Sequence, residues 1–358
     1  METRSKTGRR RPLFYVVEEV QKVLDGSKAY VIGRKGTGKT AIAEHLLRSQ
    51  NFDTFTEKLT FKNFPFNELY ALKNDSYNSP NQYITVWKYL IYSCVCKMMV
   101  RNESIDPRIR EQLAKIYVSD PTTSLSRTIS RWTSREFGLN ILGSGLTIKL
   151  GTQPTKTEIP LSERVEILED IVLQYVDSSK YFVIFDELDE DYKDILSKAR
   201  NEEYFHLLTS LFKAAQDVRS TFSTAPRRIY PVIFLRDDIY DFIRDADKNK
   251  WKDFHIALEW NVPKIQDLLA FRISRAIAPH QDALPFHRAW GLLMAGDGGV
   301  NIGNQQRNEM SKFDYIARST YLRPRDFIRF MQVAAESEIA DHGFKIRSST
   351  LKHVDKAF

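Results

Sequence analysis

Hydrophobic positions in this chain change period repeatedly, and the changes mark out its elements. Apolar residues recur at helical spacing over 14–24, and Asp25-Gly26 ends that run. Ala29-Tyr30-Val31-Ile32 is a short β-rich stretch that stops at Gly33. A glycine-rich turn follows, and 40–47 reads as helix. A second strand is expected over 58–61. Residues 63–81, with Pro65, Pro80 and several Asn, Asp and Ser residues, read largely as loop.

Two helices are expected next, over 82–100 and 108–117, and 126–137 is amphipathic. Residues 139–150 (LNILGSGLTIKL) have β-branched residues around Gly143-Ser144-Gly145 and predict a small inserted hairpin. A polar connector, 151–160, leads to a helix over 163–176 with Ser162 as its N-cap. The continuous apolar run Tyr181-Phe182-Val183-Ile184-Phe185 fits a strand buried on both faces. A helix over 204–218, a strand over 230–235 and a strand over 254–260 complete an alternating series. Beyond Pro263 only helices are expected, over 264–277, 286–294, 308–318 and 325–339, with a loop over 297–306. Five strands alternating with helices predict an α/β fold with a five-stranded parallel sheet, followed by a helical lid. The expected division is a basic tail over 1–13, a core over 14–262 with an insertion at about 82–160, and a lid over 263–358.

Composition adds little to this picture. The chain has 358 residues, 42% of them hydrophobic, and no apolar run near the ~20 residues that span a bilayer. Net charge is +7, of which the first eleven residues carry +4 through Arg4, Lys6, Arg9, Arg10 and Arg11 against Glu2. The basic balance is therefore mostly a tail effect, and it leaves nucleic acid as a partner that is allowed but not indicated. The two cysteines, Cys94 and Cys96, sit two apart in an expected helix and point in different directions, so they read as reduced packing residues. That usage predicts a reducing cytoplasm.

The candidate chemistry lies at strand ends. Gly33-Arg34-Lys35-Gly36-Thr37-Gly38-Lys39-Thr40 fits G-x-x-x-x-G-K-T between a strand and a helix, and Ala41 continues that helix. Glycines let backbone N–H groups curl around a β-phosphate, Lys39 reaches the β/γ oxygens, and the Thr40 hydroxyl ligates Mg2+. The starting helix adds its positive dipole end. At the tip of the apolar strand, Asp186 is placed to hold the metal and Glu187 to activate water. The later acids Asp189, Glu190, Asp191 and Asp194 read as a solvated turn. Arg236 ends the fourth strand, where it either senses the γ-phosphate or pairs with its adjacent acids. Arg325 (preferred over Arg323) heads a late helix and can reach back to nucleotide or pair with Asp326. Arg227-Arg228 is a pair that can act in trans in an oligomer.

Taken together, these motifs resemble the AAA+/STAND branch of P-loop NTPases: GKT at the loop, FVIFDE at the third strand, FLRDD at the fourth, and RPRDFIRF in a helical lid. They are most similar to KAP-like and bacterial stand-alone P-loop ATPases, some of which sit in anti-phage defence operons; origin-recognition-type AAA+ ATPases share the layout. The resemblance implies ATP and Mg2+ as ligands, with Gly33, Gly36, Gly38, Lys39, Thr40, Asp186 and Glu187 forming the nucleotide site and Arg236 and Arg325 at the two sensor positions. It implies a homo-oligomer and a separate protein effector. The stretch between the second and third strands exceeds a minimal AAA+ core. No N/T-K-x-D segment follows the fourth or fifth strand, which favours ATP over GTP. Three rivals stay open: a nucleotide-gated scaffold without turnover, a nucleic-acid loader or motor, and a small-molecule kinase.

Overall fold

The computed structural model describes residues 15, 17–79, 81–117, 124–134, 137, 159–191, 198–222, 227–302 and 308–358. Backbone contacts divide the chain into two units. One comprises Met1–Glu18, Lys35–Gly38 and Glu259–Phe358; the other comprises Glu19–Arg34 and Lys39–Leu258.

The larger unit is built on five strands: β1 (Tyr30–Ile32), β2 (Thr54–Thr60), β3 (Lys180–Asp186), β4 (Arg228–Leu235) and β5 (His255–Ala257). They lie in the order β2-β3-β4-β1-β5, and every neighbouring pair is parallel. Parallel pairing demands crossovers, and helices supply them. The chain leaves β1 for the far edge at β2, then returns through β3 to β4. From β4 it passes over β1 to β5. Connections leaving the adjacent strands β1 and β4 thus run in opposite directions, which is the switch at whose carboxyl ends α/β sheets bind ligands.

Burial explains the strand sequences. From Tyr181 to Asp186 every residue of β3 is buried, as expected of a strand covered on both faces. The helix Ile84–Arg101 is apolar almost all round and buries thirteen of its residues, including Trp87, Cys94 and Cys96. Trp87 also donates its indole N–H to the Leu207 carbonyl at 2.9 Å, so its one polar atom is satisfied inside the core. Both cysteines are free thiols, and burial pushes the Cys96 thiol up to about 12.

The second unit packs the helices Val262–Ile277, Phe286–Leu293, Lys312–Thr320, Pro324–Ala340 and Ser348–Ala357 around Ile265, Phe313, Ile316, Phe327, Phe330 and Leu351. Side chains cap two of them: Asn261 accepts from the Lys264 amide and Ser311 from the Asp314 amide. Tyr321 and Leu322 both take left-handed backbone (φ 51° and 55°), and this turn starts the next helix at Pro324.

Several expectations need correction. The C-terminal region, expected to hold only helices, is not purely helical: β6 (Val300–Ile302) and β7 (Asn308–Met310) form an antiparallel pair. The helix expected from residue 308 therefore begins at Lys312, and a strand opens within the expected loop. The first helix starts at Glu18, with Val17 outside it. Ser162 is not an N-cap: the helix Leu161–Tyr175 begins after Pro160, with no side-chain cap. The fifth strand has three residues rather than seven, and among the described residues it pairs with the three of β1. The hairpin expected over 139–150 and the tail over 1–13 lie outside the described residues. No helix among the described residues is long and apolar enough to cross a membrane.

Candidate nucleotide site

β1 ends at Ile32, the helix Lys39–Arg48 begins seven residues later, and the phosphate-loop sequence fills the interval. Gly36 and Gly38 have φ of 90° and 100°, a region that strongly favours glycine. The loop therefore requires its glycines for backbone shape, as a phosphate cradle does. Within the larger unit, the Lys39 ammonium donates to the Gly33 carbonyl at 2.7 Å and to the Arg34 carbonyl at 3.0 Å. Burial lowers the Lys39 pKa, with Arg236 adding to that, while Asp189, Asp237 and Asp186 oppose it. The Arg34 guanidinium lies 3.8 Å from Asp237.

The loop tip, Lys35–Gly38, groups with the second unit. There the Trp260 indole N–H donates to the Thr37 carbonyl at 2.8 Å, and the Arg325 amide donates to the Gly36 carbonyl at 3.3 Å. A Cβ at Gly36 would sit 3.5 Å from the Arg325 guanidinium. Arg325 also bonds Asp326 through Nε at 3.0 Å, and Arg323 lies 3.7 Å from Asp326. The adjacent acid thus engages both arginines. Trp260 carried no motif signal in the sequence.

Asp186 closes β3 and is buried. Its Oδ1 accepts the Glu187 amide at 3.0 Å, whereas its Oδ2 is buried and accepts no hydrogen bond. Such an orphaned carboxylate oxygen is costly unless something positive meets it. Burial raises the Asp186 pKa, opposed by Lys58, the Glu187 amide, Thr40 and Lys39. These residues fit a magnesium ion. Thr40 offers a hydroxyl and Asp186 an unsatisfied anionic oxygen, both hard ligands of the kind Mg2+ takes together with phosphates and water. Among the described residues, no group of three or more His, Cys, Asp or Glu side chains is arranged to hold a metal alone.

Glu187 has φ of 60°, in the left-handed region. For a residue that is neither glycine nor asparagine this stores strain of order 1 kcal/mol or more, and it turns the chain sharply at the strand tip. Arg236 occupies the position just before the helix Asp237–Phe242, at the end of β4, and makes no side-chain cap bond there. Its guanidinium grips Asp238 through two hydrogen bonds and lies 3.7 Å from Asp189. The bonds to Asp238 raise its pKa. Of the two readings of Arg236, pairing with nearby acids is what this structure holds. Asp189, expected in a solvated turn, is partly exposed and stands beside Arg236. Arg228 begins β4 and donates to the Ser178 carbonyl at 2.8 Å, so it stands at the opposite end of that strand from Arg236.

Sequence reasoning missed Lys58 and Glu44. The Lys58 ammonium lies 2.5 Å from Glu44 and 3.8 Å from Asp186. A lysine inside a strand of a parallel sheet was the available signal.

No protein-family model matches the chain, and no curated protein matches it. Among solved structures, Cdc6p from Pyrobaculum aerophilum is similar at a TM-score of 0.39 and 12% identity, over 96% of this chain and 66% of that one. The chain thus spans just under two thirds of that protein's length. The fold class stands on the chain's own geometry: an α/β unit with a five-stranded parallel sheet, a phosphate-loop sequence at the end of β1, and a mainly helical C-terminal region.

Proposed function

We propose that this chain is an ATP-binding and ATP-hydrolysing module of the AAA+ type. The observation that carries this reading is the buried, unsatisfied Oδ2 of Asp186, at the tip of β3, in a sequence that also supplies Lys39 and Thr40. Lys39, Thr40, Ala41 and the amides of Gly33–Gly38 would bind the triphosphate. Thr40 and Asp186 would hold Mg2+, which supplies charge stabilisation on the β and γ oxygens when bound. Glu187 would orient and deprotonate the attacking water. Arg236 would leave Asp238 for the γ-phosphate, and Arg325 would serve from the head of its helix.

On this reading the nucleotide state sets an assembly or a partner's activity, with γ-phosphate contacts as the latch. A homo-oligomer and a separate effector protein follow from the resemblance to stand-alone P-loop ATPases, and a role in anti-phage defence is the biological setting that resemblance suggests. The test is phosphate release from Mg·ATP by purified protein across a concentration series, with and without DNA. Turnover whose specific rate climbs with protein concentration supports a hydrolase that assembles. Turnover that appears only with DNA, and falls steeply with salt, replaces the regulatory reading with a nucleic-acid-dependent one. ATP binding without turnover under every condition replaces it with a nucleotide-gated scaffold.

A further inference from the structure

Three charged groups form a chain beside the candidate metal position. Lys58 and Thr60 share one face of β2, since side chains alternate along a strand. Thr60 is in register with Asp186 on β3, so Lys58 stands beside the end of that strand. Glu44 follows Thr40 by four residues on the helix Lys39–Arg48, which puts both on one helical face. The Lys58 ammonium therefore has two anionic neighbours: Glu44 at 2.5 Å and Asp186 Oδ2 at 3.8 Å. Its side chain is 14% exposed and that of Asp186 is 3% exposed, whereas Glu44 is 41% exposed. Water screens the Glu44 contact and hardly screens the other.

We propose that Lys58 is a built-in competitor of Mg2+ at Asp186, and that Glu44 draws it off when the metal arrives. The proposal rests on the reading of Asp186 as the metal carboxylate. Before metal binds, the ammonium is the ion-pair partner of an oxygen that accepts no hydrogen bond. A divalent cation on the same oxygen meets like-charge repulsion from Lys58 a few ångströms away. The repulsion is relieved when the flexible lysine leans toward Glu44. Lys58 thus acts as a positioning residue through Asp186, and the pair sets the magnesium level at which nucleotide binding becomes metal-dependent.

The experiment is a Mg2+ titration of methylanthraniloyl-ATP binding to the full chain, read by fluorescence. Lys58→Met should lower the half-saturating Mg2+ concentration roughly three- to tenfold. Glu44→Gln should raise it, because Lys58 then leans on Asp186 alone. In the double variant Glu44→Gln should add nothing, since its effect runs through Lys58. Without nucleotide, Lys58→Met should also melt earlier, its buried carboxylate having lost a counter-ion. Should Lys58→Met fail to fold, Lys58→Arg should stay within about twofold of wild type while Glu44→Gln still shifts upward. Shifts of the same sign in the two single variants, or none beyond twofold, overturn the proposal while leaving the ATPase reading intact. Wild-type binding that ignores Mg2+ overturns the assignment of Asp186, and this inference with it.

Discussion

The Lys39 ammonium donates to the carbonyl oxygen of Gly33, at 2.7 Å. The loop thus supplies the lysine with acceptors of its own, and a phosphate must replace them. This exchange is favourable only if the incoming oxygens carry more charge than a carbonyl, which a triphosphate does and an adenosine does not. Lys39→Ala should therefore abolish ATP binding by calorimetry while shifting the thermal midpoint little, because both acceptor carbonyls belong to a loop. Loss of binding with a large drop in melting temperature would assign Lys39 a structural role instead.

Arg236 is held by Asp238 and faces Asp189. If the guanidinium must change partners during the cycle, weakening its present grip should help. Asp238→Asn should tighten ATP binding severalfold, and Arg236→Ala should lower kcat more than it changes KM. Equal losses in both variants would mean that the ion pair serves the fold.

The buried carboxylate of Glu338 accepts from the Thr350 hydroxyl and from the Arg347 amide and guanidinium, joining two helices of the second unit. Burial pushes its pKa up, but those donors win and hold it below the usual value. A lowered folded pKa contributes stability that is full above the unfolded value, near 4.3, and is lost as pH falls through the folded one. Glu338→Gln should therefore melt earlier than wild type at pH 7, and the gap should close in acid below about pH 4. A gap independent of pH would show that packing rather than charge is at stake.

The core makes a simpler demand. Trp87 is fully buried and its indole is satisfied by Leu207. Trp87→Ala should cost about 3–5 kcal/mol in denaturant unfolding. A cost under about 1 kcal/mol would contradict the packing described for this helix.

Legibility in the sequence followed the strength of the local signal. Buried strand β3 announced itself as five consecutive apolar residues, and the loop by glycines whose left-handed backbone leaves little other choice. β7 was hidden because Met310, Phe313 and Ile316 keep a helical spacing across the strand–helix junction, and only pairing with β6 makes Asn308–Met310 extended. β2 looked short because its first half, Thr54-Phe55-Thr56-Glu57, is largely polar; its full length comes from residue-by-residue register with β3. At the site, the chemical types were readable but the ion pairs were not. Neither Lys58 meeting Asp186 nor Asp189 meeting Arg236 follows from spacing, since each joins segments brought together only by the sheet. The left-handed backbone of Glu187 was equally invisible, because glutamate is not a residue type that marks that region.

Glu187 gives the most direct test of the whole account. Purified wild type and Glu187→Gln should be compared for Mg·ATP binding and for phosphate release in the same buffer. The account predicts that Glu187→Gln binds ATP as tightly as wild type and releases phosphate roughly 10²–10⁴ times more slowly, the range expected when a general base is removed. Equal phosphate release by the two proteins would contradict it.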